Sequence, residues 1–304
     1  MDLRQLRQFV RLAEARHFGR ASAASHISPS ALSRSIRQLE TELGVMLFDR
    51  DNRSVALTAP GETLLRWARE ALTGWDVVRD TLREQSGEPQ GEVSLYCSVT
   101  ASYSFLFVLL SQLRRDHPRI ELKLHTGDPE HAIARVLDGT EDIAIGARPD
   151  ALPAGVAFKP IARSPLVFIA PTRHPRLRAL SRRQPDPAEW AATPMILSES
   201  GLSRQRADRW FRALGIRASI YAQVAGNEAI VSMVSLGFGV GVVPQIVLDN
   251  SPLAGQVTVL KVRPALAPYA VGLFTLEKKL RSPLISAFWA QPVASVPAQG
   301  NRPS

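Results

Sequence analysis

The stretch SPSALSRSIRQLETELG, residues 28–44, decides how the first part of this chain is read. Ser28 suits a helix N-cap, and Pro29 at the first helical position gives up only an amide that would be unpaired anyway. Gly44 can take the left-handed turn that ends a helix. Between them Leu32, Ile36, Leu39 and Leu43 recur at helical spacing and predict a core-facing stripe. Ser30, Ser33, Arg34 and Arg37 fall on the opposite side. That face is hydroxyl-rich and cationic, which suits a DNA major groove. For an isolated helix the alternative is a solvated surface, so the flanking segments have to decide.

Upstream, Leu3, Leu6, Phe9, Val10 and Ala13 predict an amphipathic helix over residues 3–15. A short, alanine-rich helix follows over about residues 19–25, and a tight connection leads into the opening stretch. Two helices joined this way predict a helix-turn-helix whose second helix enters the groove. Downstream, VMLFDRDNRSVALT (residues 45–58) reads as a hairpin, or wing. Arg50 and Arg53 beside its tip are candidates for phosphate or minor-groove contact. Thr58 predicts the cap of a further helix. Along it Leu64, Ala68, Ala71, Trp75, Val78 and Leu82 alternate in steps of four and three. This is a heptad seam and predicts a dimerisation helix over residues 59–86.

The chain has 304 residues, 45% hydrophobic and 21% charged, which describes a globular protein of about two domains. Its net charge of +9 is unevenly placed: +3 over residues 1–58, −2 over 59–91 and +8 over 92–304. Bulk charge is therefore weak evidence for nucleic acid. The single cysteine, Cys97, excludes an intramolecular disulfide and fits a reducing compartment. The N-terminus lacks signal-peptide order, and the apolar region 229–248 is broken by glycines and Pro244, so a cytoplasmic protein away from the membrane is expected.

Residues 87–91, GEPQG, read as a hinge. Beyond it strands are predicted at 93–98, 120–125, 142–146, 166–170, 195–197, 219–224, 240–243 and 269–275. Helices are predicted at 103–116, 129–137, 202–214, 228–236 and 283–290. The alternation implies βαβ units around a parallel sheet. Residues 291–304 read as a flexible tail.

The first sixty residues resemble the winged helix-turn-helix of LysR-type transcriptional regulators. Phe9, Ala21, Ala24, Ser28, Leu32, Ser33, Ile36, Leu39, Glu40, Gly44, Phe48, Arg50, Thr58 and Gly61 carry the resemblance. The family more often has Gln and Pro where this chain has Pro29 and Ser30, so both are candidates at the base-reading edge. It more often has Glu and Ala at the positions of Ala59 and Pro60. The segments RHFGR (16–20), DNR (51–53) and KLHTGD (123–128) are similar to a member that activates the acetohydroxyacid isomeroreductase gene of isoleucine–valine synthesis.

The resemblance implies a winged helix-turn-helix at 1–58 and the linker helix at 59–86. It implies an α/β, two-lobed, periplasmic-binding-protein-like effector domain, with one lobe from 92–161 and 266–290 and the other from 162–265. It further implies a homodimer or homotetramer on an interrupted palindromic operator, contact with RNA polymerase, and no cofactor. The implied co-inducer is a 2-hydroxy-3-keto acid such as acetolactate or acetohydroxybutyrate. A LysR-type regulator of another pathway with a different small carboxylate is the alternative.

The residues themselves fit an anionic effector. Ser98, Thr100 and Ser102 stand where a strand gives way to a helix, and Thr126 ends the next strand on the same rim. Ser198, Ser200 and Gly201 precede the helix that carries Arg204, a second nest of amides. Family position adds Ala101. Simple helix capping is compatible with binding at these hydroxyls, and Arg204 could equally be a solvated helix arginine.

An enzyme is the first rival. GFGVG (237–241) lacks the third spacing of a dinucleotide loop and runs into a strand, there is no G-x-S-x-G elbow, and the six histidines form no helical metal pair. No catalytic or metal residue is expected. A solute-binding protein would suit the two lobes but not the reader.

Overall fold

The computed structural model describes residues 1–50, 55–84, 89–180 and 185–292. Two units divide the chain, Met1–Ser86 and Gly87–Ser304. Arg53 and the rest of the hairpin tip, residues 87–88 of the hinge and residues 293–304 of the tail lie outside the described residues.

The first unit begins with α1 (Leu3–Ala15), α2 (Phe18–Ala24) and α3 (Pro29–Leu43). Asp2 caps α1 with Gln5 closing a reciprocal capping box. The Ser28 hydroxyl accepts the Ala31 amide at 3.2 Å, and Gly44 ends α3 at φ 69°. Leu32, Ile36 and Leu39 are fully buried with Phe9, Leu12 and Ala21. Leu43, expected in that stripe, is 40% exposed; Glu40 is buried instead. The exchange has a polar cause. The Glu40 carboxylate accepts the amides of Leu47 (3.0 Å) and Phe48 (3.3 Å) as the chain leaves α3. Strands β1 (Phe48–Arg50) and β2 (Val55–Leu57) then pair antiparallel as the wing, with Arg50 opposite Val55.

Helix α4 (Ala59–Glu84) is capped by Thr58, which accepts the Gly61 amide. Gly61 is a close approach: a Cβ there would run into the Leu47 carbonyl. The pairs Glu14–Arg69 (3.3 Å) and Arg7–Asp76 (3.5 Å) run from α1 to α4.

The second unit contains two five-stranded mixed sheets. The first comprises β3 (Gly91–Cys97), β4 (Ile120–Thr126), β5 (Ile143–Ala147), β6 (Val156–Ser164) and β12 (Tyr269–Leu276), in the order β4-β3-β5-β12-β6. The second comprises β7 (Leu166–Pro171), β8 (Pro194–Ser198), β9 (Ser219–Val224), β10 (Val240–Pro244) and β11 (Val257–Leu260), in the order β9-β8-β10-β7-β11. In each, three parallel strands meet an antiparallel fourth: β12 against β5, and β7 against β10. This corrects the purely parallel sheet expected from the sequence. The antiparallel strands are the ones that enter after the chain crosses between sheets, from β6 to β7 and from β11 to β12, so their direction is set by the crossing and not by a βαβ turn.

Aromatic packing fills the second lobe, where Phe168, Trp190, Trp210 and Phe211 lie with ring centroids 4.8–5.9 Å apart. In the first lobe a buried polar knot ties β3, β5, β12 and the turn Glu277–Arg281. Asp142 accepts from Ser94 (amide and hydroxyl, 2.8 Å each) and from Lys279 (2.6 Å). Burial alone would raise the Asp142 carboxyl, but the Lys279 charge and the hydrogen bonds from Lys279 and Ser94 outweigh it and hold it below the usual range. A depressed carboxyl stabilises the fold above the ordinary aspartate range, and that contribution is lost as pH falls through the depressed value. Asp142→Asn leaves Lys279 buried without its counter-charge, so urea unfolding at neutral pH should show a loss of about 3 kcal/mol. The difference from the parent should shrink as the pH drops below about 4. A variant as stable as the parent would show that the knot is not under electrostatic load.

Candidate functional site

Two sets of groups stand out, one in each unit. In the first, Pro29, Ser30, Arg34 and Arg37 are exposed along one side of α3, and Ser33 is half-buried beside them. The Ser30 hydroxyl lies 3.0 Å from that of Ser28, so it shares in the cap. Among the described residues neither Arg34 nor Arg37 has an ion-pair partner, which leaves both guanidinia available to an incoming acceptor. Arg50 stands at the end of β1 where the hairpin tip begins.

The dimerisation seam needs correcting. Ala68 is fully buried and Leu64 packs beside it, both against the core formed by α1, α3 and the wing. They serve the reader's own packing. The exposed apolar row is Trp67 (47%), half-buried Ala71, Trp75 (43%), Val78 (51%) and Leu82 (60%). These positions, at steps of four, four, three and four, share one side of α4.

In the second unit the carboxyl ends of β3, β4 and β5 and of β8, β9 and β10 converge on a cavity of about 250 Å³ between the two sheets. Ser98, Thr100, Ala101, Ser198 and Gly201 line it, as the sequence predicts. The Ser98 hydroxyl caps the Val99–Ala101 turn through the Ala101 amide (3.1 Å). A widened π turn, Ser102–Leu106, follows and leads into the helix Phe107–Asp116.

Four predicted residues do not line the cavity. Thr126 is exposed on the edge strand β4, and the chain turns into the cleft only at Asp128–Glu130. The Ser102 hydroxyl donates to the Val99 carbonyl within its own helix. Ser200 reaches across the cleft rim and donates to Glu130. Arg204 turns back onto its own lobe, bound to Asp208 (3.0 Å), the Ser198 carbonyl (3.1 Å) and Gln223 (2.7 Å). It braces the end of β8.

The remaining lining was not anticipated. Phe105, Ile133, Ile145, Ile246, Val247 and Val271 make an apolar wall. Ser203 and Tyr269 are hydrogen-bonded to each other, and burial pushes the Tyr269 phenol up to about 12, so it stays protonated. Asp128 and Glu130 bring two carboxyl groups. Burial raises the Glu130 carboxyl, with the Ser200 hydrogen bond opposing. No local motif marks these acids; only the equivalence of β4 and β9, which is invisible in the sequence, picks out Glu130 and its counterpart Glu228. Cys97 is buried at the end of β3, its thiol pushed up to about 11 by burial. Among the described residues no group of His, Cys, Asp and Glu is gathered to hold a metal, and no helix is long and apolar enough to cross a membrane.

A winged helix-turn-helix and a two-lobed α/β domain with a cavity between its sheets give the chain the layout of a DNA-binding regulator. Residues 3–62 match the family model described as bacterial regulatory helix-turn-helix protein, lysR family, and residues 86–294 match that of the LysR substrate binding domain. The chain is 43% identical over 292 residues to the HTH-type transcriptional activator IlvY of Salmonella typhimurium, covering 95% of this chain and 98% of the relative. It is 43% identical over 293 residues to the HTH-type transcriptional regulator IlvY of Escherichia coli K12, with the same coverage. A full-length OxyR variant from Pseudomonas aeruginosa shares the fold, with a TM-score of 0.65 at 24% identity over 100% of this chain and 99% of that one. The chain belongs to the LysR family of transcriptional regulators.

On this footing Arg34 should read bases. Arg34→Ala should weaken binding to a specific operator by about tenfold or more, the scale of a lost base contact. Gel shifts on random DNA should show a much smaller loss; equal losses on both would mean that Arg34 touches only phosphate.

Proposed function

We propose that this regulator acts in the cytoplasm as a non-catalytic, effector-dependent activator of the acetohydroxyacid isomeroreductase gene, with acetolactate or acetohydroxybutyrate as co-inducer. The observation that carries the effector class is the chemistry of the cavity wall. Hydroxyls of Ser98, Thr100, Ser198 and Ser203 supply donors for a carboxylate and a keto oxygen. Asp128 supplies an acceptor for a hydroxyl, and the isoleucine and valine side chains receive a short aliphatic branch. A 2-hydroxy-3-keto acid carries all of these groups on one small skeleton.

The likeness to relatives named as IlvY activators supports the target. The exposed row Trp67, Ala71, Trp75, Val78 and Leu82 supports pairing through α4, which provides two readers for two half-sites of a palindrome. Effector binding then changes the spacing of the paired readers through a shift in lobe arrangement, by as much as its affinity differs between the two states.

Footprinting and bend-angle measurement upstream of the isomeroreductase gene test this reading. With saturating acetolactate the bend angle or the protected boundary should change. Identical footprints and bends with and without it would contradict the proposal.

A further inference from the structure

The two lobes exchange carboxylates across the cleft. Glu130 lies four residues beyond the end of β4, and Glu228 lies four residues beyond the end of β9; these are the corresponding edge strands of the two sheets. Each carboxylate reaches the opposite lobe at the helix start that follows the neighbouring inner strand. Glu228 accepts the Thr100 amide at 3.0 Å and the Thr100 hydroxyl as well. Glu130 accepts the Ser200 hydroxyl and lies so close over Gly201 that a Cβ there would overlap its carboxylate. Thr100 stands three residues past β3 and Gly201 three residues past β8. The arrangement is therefore reciprocal: each lobe gives one carboxylate and receives one, at equivalent places.

The Thr100 amide and hydroxyl are donors suited to a small acid, and Ser200 and Gly201 flank the matching start in the other lobe. A carboxylate already occupies each. We propose that Glu228 and Glu130 are internal stand-ins for the carboxylate of the effector, a pair of clasps that hold the lobes in their unliganded arrangement and that an anionic effector displaces as it binds. This rests on reading the cleft as the site of an acidic effector. A tethered carboxylate competes at high local concentration, so its removal raises the affinity of a free one. A charge-assisted hydrogen bond is also stronger than a neutral one, so a ligand without a carboxylate has little means of opening the clasps. The clasps thereby make lobe rearrangement part of the binding of an acid, while a neutral analogue leaves them in place.

The test uses the full chain with Glu228→Ala, Glu130→Ala and the charge-neutral Glu228→Gln, the last preserving side-chain shape. Hydrogen exchange without ligand should quicken at amides 100–104 and 201–205. Calorimetry should show acetolactate binding about fivefold tighter to either alanine variant, the scale of one competing hydrogen bond. Acetoin, the same skeleton without the carboxylate, should bind all forms alike. Unchanged exchange in every variant would overturn the clasps, and weaker acetolactate binding would show that the glutamates hold the effector and do not oppose it. If acetolactate binds neither parent nor variants, the effector assignment fails, and the exchange result alone decides the clasps.

Discussion

Where a parallel strand ends and a helix begins, backbone amides are left without partners inside the helix. The second unit brings six parallel strand ends to one place, and five of them, all but β5, lead into a helix. β3, β4 and β5 point into the cleft from one sheet, and β8, β9 and β10 from the other. The candidate contacts at Ser98, Thr100, Ser198 and Gly201 follow from that convergence. Ser98 caps its own turn, Thr100 offers both amide and hydroxyl, and the Gly201 start is open enough for a carboxylate to rest on it. A site built this way can bind an anion without a lysine or arginine in its lining, which is consistent with Arg204 being free to brace β8.

The reader obeys a comparable constraint on a smaller scale. Glu40 is buried at the C-terminal end of α3 and takes the two amides that start the wing. The same carboxylate thus fixes the hairpin relative to α3, while Gly44 supplies the left-handed turn between them. Together with the burial of Leu47 and Phe48 against α3, this buried acid sets where Ser33, Arg34 and Arg37 stand relative to the start of the wing.

Much of the reader was legible because its signals are local. The Ser28 cap, the Pro29 start and the Gly44 stop are read within a few residues of one another, and the apolar period of α3 needs no tertiary information. Leu43 was misplaced because helical period does not foresee a buried carboxylate with amides to satisfy. Ala68 was misassigned for a related reason: a heptad pattern says that one stripe is covered, and not by what. In the effector unit the hydroxyls at strand ends were visible, since strand-to-helix boundaries leave a sequence mark. Glu130 and Glu228 were not, because their partners lie 70 and 128 residues away and belong to the other lobe. The antiparallel direction of β7 and β12 was hidden too, being set by the two crossings between lobes.

In the proposed mechanism these parts act through a single event, the entry of a small acid at the converged strand ends. Hydrogen exchange of the operator-bound full chain, with and without saturating acetolactate, tests it most directly. Protection should increase at residues 98–106 and 198–205, with altered exchange around 128–133 and 226–230 as the lobes rearrange. Protection confined to surfaces away from these four segments would contradict it.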